Sequence, residues 1–191
     1  MACFALRVPD RLLLIDPQLP ADDAALLQQL DRIVHGPVSI LTTMPYHVRS
    51  SERLAERYDA RIHGHPNVAR RLERPERLIE VRPGDELPGG VTAHAIGKPR
   101  RNEMPLYVHA HGALAFGDAV VGTGDGFRMW DSREPGGART AWYRDRFAPT
   151  LRPLLRLDVR HLLVTHGPPA VGNGSDALRA ALAQPPWYHR G

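Results

Sequence analysis

The sequence predicts a mixed fold, α/β or α+β, built on two β-sheets, and three observations carry that prediction. Short apolar runs bounded by Gly and Pro recur along the whole chain, too many for one small sheet. A few amphipathic helical patterns interleave with them. There are no internal repeats or low-complexity linkers, so the 191 residues read as one domain, 1–191, long enough to bury a sizeable core.

In order, residues 3–8 (CFALRV) and 11–15 (RLLLI) read as two strands joined by a Pro9-Asp10 turn. Asp22 and Asp23 open an amphipathic helix with Leu26, Leu27, Leu30, Ile33 and Val34 on one face, stopped by Gly36-Pro37. A strand at 38–42 runs into the turn Met44-Pro45-Tyr46 and then His47. Ser50-Ser51 reads as the N-cap of a helix to Tyr58. This places a histidine at a strand end beside a helix start, where open α/β sheets keep their ligands. A strand near 61–63, a helix over 67–73 and strands at 78–81, 91–96, 106–109 and 113–116 follow, the last two joined at His111-Gly112. Residues 122–140 read as a glycine-rich loop around Trp130. Residues 142–155 read as a helix that Pro149 and Pro153 kink or split. A strand at 162–165, a turn at 166–169, a helix capped by Ser175 and a loose tail, QPPWYHRG, complete the chain.

Composition narrows the function classes. The formal charge is +4, and Lys98 is the single lysine among 25 basic residues, so the rest are arginines. They are scattered among 21 acidic residues, with one dense cluster at 98–101, so nucleic-acid binding is not the expected role. No run of eighteen apolar residues exists to span a membrane. The N-terminus lacks the basic region of a signal peptide. The lone Cys3 excludes an internal disulfide and fits a reducing, cytoplasmic setting as a buried small hydrophobe. A small molecule is the expected partner; oligomeric state has no readable signature.

Four stretches, in this order and at workable spacing, resemble the metallo-β-lactamase superfamily. LLLIDP (12–17) resembles its early strand ending in Asp, and LAERYDARIHGHP (54–66) the helix and strand after its HxHxDH motif. HGALAFGDAVVG (111–122) is similar to its strand ending in a metal-bridging Asp, and LLVTHGPP (162–169) to its late strand ending in a ligand His. The resemblance implies a four-layer αββα sandwich, somewhat trimmed at the N-terminus, with the site at one sheet edge. It also implies an eroded metal centre. His47 falls on the last histidine of the motif, while Tyr46, Met44 and Thr42 (or Thr43) fall on its other ligands. The loop that carries a further ligand is here GKPRRNE (97–103). Asp118 and His166 match the bridging Asp and the final His.

Three readings of this set stay open. In the first, His47, Asp118 and His166 hold one Zn or Fe ion whose hydroxide attacks an ester, thioester or lactone. Tyr46 then serves as an oxyanion donor beside the catalytic His47 and Asp118, and Arg49 or Arg100 binds substrate. In the second, no metal binds and an arginine, Arg49, Arg100 or Arg101, pairs with Asp118. The protein is then a non-catalytic ligand-binding pseudoenzyme, or an enzyme using histidine as acid or base. In the third, the three residues are structural remnants. Trp130 lines a substrate pocket or packs as core or lid. His63, His65, His109 and His111 receive bland structural readings, and His35, His161 and His189 carry no signal. GTGDG (122–126) is no phosphate loop, because no Lys follows it and no helix opens after it.

Overall fold

The computed structural model describes residues 1–134 and 136–188; His189 and the end of the tail lie outside the described residues. Phe4–Val8 (β1) and Arg11–Ile15 (β2) form the expected hairpin, Phe4 opposite Ile15 and Val8 opposite Arg11. After Ala24–Ile33 (α1), the strand Val38–Leu41 (β3) lies parallel to β2. Ser51–Arg57 (α2), Arg61–Gly64 (β4) and Leu78–Glu80 (β5) continue in parallel, giving the order β1-β2-β3-β4-β5. All four residues of β3 are buried, as expected for a parallel strand covered on both faces.

The second sheet contains Glu86–Leu87 (β6), Val91–Ala93 (β7), Leu106–Val108 (β8) and Ala113–Phe116 (β9). These run antiparallel, turning at Gly112 in the left-handed region (φ 56°) between β8 and β9. His161–Val164 (β12) then lies parallel to β9, and Ala170–Val171 (β13) closes the edge. Leu13, Ile15 and Leu41 of the first sheet pack on Val91, Leu106, Val108 and Leu163 of the second. The outer face of the first sheet buries Leu12, Leu14 and Ile40 against Leu30 of α1 and Leu54 of α2. The outer face of the second buries Leu114, Phe116 and Leu162 against Tyr143, Phe147, Leu151 and Leu178 of the C-terminal helices. Helix, sheet, sheet and helix layers make the αββα sandwich.

Several local expectations are overturned. Residues 122–140 are not a single loop: Val120–Thr123 (β10) and Gly126–Asp131 (β11) form a hairpin whose glycines build its tight turn. The tail is tied down where it is described, because Trp187–Tyr188 (β14) pairs in parallel with Trp130 and Asp131. The helix expected over 67–73 is a 3₁₀ segment, Pro66–Arg71. The proline-split helix is composite: Gly137–Trp142 (α3), a wide turn at Tyr143–Phe147, Ala148–Leu151 (α4) and a 3₁₀ turn at Arg152–Arg156. Neither predicted serine caps its helix. Ser50 Oγ accepts the Leu19 N–H at 2.9 Å, and Ser175 Oγ sits on the backbone of Val159 rather than closing the start of Gly174–Ala183 (α5). Cys3, expected to be buried, is exposed.

His63, on β4, is buried, and burial together with the charges of Arg11 and Arg61 pushes its ring down to about 4. An unfolded chain takes up this proton near pH 6.5, while the folded one does not until about 4. Between those values the unfolded state binds more protons, so stability falls as pH falls. The expected loss from this one group is up to about 3 kcal/mol. Urea melts at pH 7 and pH 5 should show a smaller difference in His63→Gln than in the native chain; an equal difference would refute the assignment.

Candidate functional site

The carboxyl ends of β2, β3, β9 and β12 meet at one edge of the sandwich. Asp16 follows β2, His47 lies in the 3₁₀ turn Pro45–His47 after β3, Asp118 follows β9 and His166 follows β12. Asp118 is the centre. Its Oδ1 lies 3.4 Å from His47 Nε2 and 3.3 Å from His166 Nε2, and its Oδ2 lies 3.5 Å from Arg100 Nη1. Of the two arginines expected at this site to bind substrate, the structure brings Arg100 to it. Arg49, with φ 41°, points its guanidinium at the Asp16 carbonyl and the Met1 sulfur instead.

His47 is gripped from its other side. Asp16, in the left-handed region at φ 47°, is fully buried and takes His47 Nδ1 at 2.9 Å, Thr43 Oγ1 at 2.5 Å and the Thr43 N–H at 2.8 Å. A non-glycine residue in this conformation is strained, which is common at functional sites. Burial disfavours the charged ring of His47, but the flanking carboxylates of Asp118 and Asp16 outweigh it and raise its pKa to about 9. Burial likewise opposes ionisation of Asp118, and His166, His47 and Arg100 together hold it well below the usual carboxylate range. The Asp16 role was not read from the sequence; the signal was a carboxylate at the end of LLLIDP.

Glu103 was missed altogether. It is 1% exposed, and its Oε1 accepts the N–H groups of Gly117 (2.9 Å) and Ala119 (3.1 Å) while Oε2 accepts that of Asp118 (3.0 Å). Its own N–H bonds back to Arg100 O at 2.7 Å. One buried carboxylate thus fastens the loop of Arg100 to the loop of Asp118. Burial and the neighbouring Asp118 charge push it up to about 7 against the donors it accepts. His166 is set by a close backbone approach: a Cβ on Gly167 would meet Gly122 O at 2.1 Å, and the Gly122 N–H bonds to His166 O at 2.8 Å.

Trp130, on β11, carries the Arg100 guanidinium at 4.2 Å from its ring centroid and stacks near His166, 6.4 Å away with planes 21° apart. Beside it, Arg139 of α3 forks onto Asp131, with Nη2 2.8 Å from Oδ1 and Nε on Oδ2. A cavity of 340 Å³ opens here, lined by Tyr46, Pro99, Arg100, Asp118, Trp130 and Arg139 among others. Tyr46 stands at its rim, 68% exposed, with the Arg71 guanidinium 4.5 Å from its ring.

Among the described residues no group of three His, Cys, Asp or Glu side chains is arranged to hold a metal ion, although His47 and His166 both lie against Asp118. Asp118 Oδ1 is buried without a well-formed hydrogen bond, since both imidazoles reach ion-pair distance but not hydrogen-bond geometry. Arg100 already faces the other oxygen. A divalent ion about 4 Å from a guanidinium is repelled by roughly 8 kcal/mol at an effective dielectric near 20, twice the unit-charge figure.

No family profile matches the chain, and no curated protein does. Solved structures do, and they establish the class: the chain has the metallo-β-lactamase fold. An archaeal metallo-β-lactamase superfamily protein, ST1585 from Sulfolobus tokodaii, superposes with TM-score 0.68 at 13% identity, covering 94% of this chain and 78% of its own. TTHA1623 in a di-iron-bound form gives 0.64 at 18% identity, covering 91% of each chain. A B3 metallo-β-lactamase with an active-site glutamic acid gives 0.61 at 20% identity, covering 94% of this chain and 81% of its own. Among the described residues no helix is long and apolar enough to cross a membrane.

Proposed function

We propose that this protein is a metal-independent ligand-binding pseudoenzyme on the metallo-β-lactamase fold, in which Arg100 stands as the cation at Asp118. The observation that supports it is the pair itself: Arg100 Nη1 lies 3.5 Å from Asp118 Oδ2 while its guanidinium rests on Trp130. A carboxylate buried without a cation is costly, and a positioned guanidinium removes that cost without a metal. Tyr46, Arg100 and Trp130 bound the cavity that receives the ligand, and Asp118, against which His47 and His166 lie, is part of its lining. Arg49, turned to the Asp16 carbonyl, has no part in it.

The rival reading is a hydrolase with one Zn or Fe on His47, Asp118 and His166, and the di-iron neighbour gives it support. Elemental analysis of protein purified without a tag or chelator separates the two. The expected result is no stoichiometric Zn or Fe, and no calorimetric signal on adding either. One equivalent of metal that disappears in His47→Ala would overturn the proposal.

A further inference from the structure

Resting on that reading of the cavity, we propose that its ligand is a flat aromatic acid, an aryl carboxylate of one or two rings. The walls supply the first half of the argument. Trp130 and the Arg100 guanidinium stacked over its ring at 4.2 Å both line the cavity. Tyr46 stands at the rim and buried Tyr143 forms part of the back wall, with Pro99 and Met44 completing an apolar lining. Aromatic walls of this kind favour an offset-stacked planar guest over an aliphatic one. At 340 Å³ the cavity is at the small end of ligand sites, sized for one or two rings.

The charges supply the second half. Both carboxylates in the cavity are already faced by a guanidinium, Asp118 by Arg100 and Asp131 by Arg139. Each guanidinium carries five N–H donors in a fork, so the two forks keep donors over once these pairs are made. Ser132, exposed at the edge, adds a hydroxyl. With donors in surplus on both guanidinium forks, the cavity is complemented by a guest that brings an acceptor, and a carboxylate meets a guanidinium fork in the plane of both. An aryl carboxylate places that group on the kind of flat body the walls accept.

Calorimetry on the full chain tests this with four probes: 2-naphthoate, neutral 2-naphthamide, cyclohexanecarboxylate and inorganic phosphate. The expected result is that 2-naphthoate binds at least about ten-fold more tightly than each of the others. Tyr46→Ala should weaken it about ten-fold without moving the melting temperature, since Tyr46 lies on the surface. Arg179→Gln, on the exposed face of α5 and paired with Asp176, should leave the affinity unchanged. Equal binding of the amide or of the aliphatic acid, binding of phosphate alone, or no binding of any probe to metal-free protein would overturn the aromatic-acid assignment. Stoichiometric metal in the same preparation would instead overturn the reading of the pocket, so the two failures are distinguishable.

Discussion

Asp118→Ala should lower stability by about 3–5 kcal/mol, the range seen when one partner of a buried ion pair is removed. The loss exceeds that of a single contact because three groups converge on this carboxylate. Without it, the charged ring of His47 keeps Asp16 alone, and Arg100 keeps only the face of Trp130. At about 2–4 °C per kcal/mol for a chain of this size, the melting temperature should fall by roughly 6–20 °C. Arg100→Ala should cost less, since Asp118 retains two imidazoles. In the double variant the guanidinium no longer lies uncompensated, so the combined loss should fall short of the sum by more than about 1 kcal/mol. Losses that add to within about 0.5 kcal/mol would show that the pair carries no energy, and the case for a guanidinium as the resident cation would fall with it.

The framework was legible because its signals are periodic. The buried run of β3, the β1–β2 hairpin and the stripe of α1 each follow from apolar spacing that tertiary contacts reinforce. The strand β11 was hidden by its turn: glycines at 122, 124 and 126 read as loop, yet Gly122 is inside β10 where a side chain would strike Pro168. What marks Gly122 as a strand residue is a contact with a segment more than forty residues away, and no local window contains it.

The site was legible only in part, for a similar reason. His47, Asp118 and His166 each follow a strand and precede a turn, so position along the chain marks them. Nothing along the chain distinguishes Arg49 from Arg100. The difference lies in the positive φ of Arg49, whose guanidinium turns to the Asp16 carbonyl, and in the indole that waits for Arg100. That indole could not be placed while β11 was read as loop. The missed strand and the unresolved choice of arginine are therefore one error, not two. Glu103 is harder still. It acts on backbone N–H groups 14 to 16 residues away, and a side chain that serves a main chain leaves no complementary residue to notice.

Glu103→Ala should rank with Asp118→Ala, costing about 3–6 kcal/mol, because it strands three N–H groups, two buried and one part-buried, at roughly 1–3 kcal/mol each before relaxation. Glu103→Gln separates the hydrogen bonds from the volume. With its carbonyl at the Oε1 position it still accepts from Gly117 and Ala119, but its amide then faces the Asp118 N–H, donor against donor. It should therefore lose about 1–3 kcal/mol, between Ala and the native residue. Amide hydrogen exchange gives a local readout that a merely space-filling role would not move. In Gln the Asp118 amide should exchange faster while those of Gly117 and Ala119 hold, whereas in Ala all three should accelerate. Equal protection of all three amides in Gln would mean that the loop keeps its place without this carboxylate. The alignment of Arg100 with Asp118 would then have to be set by the Trp130 stack alone.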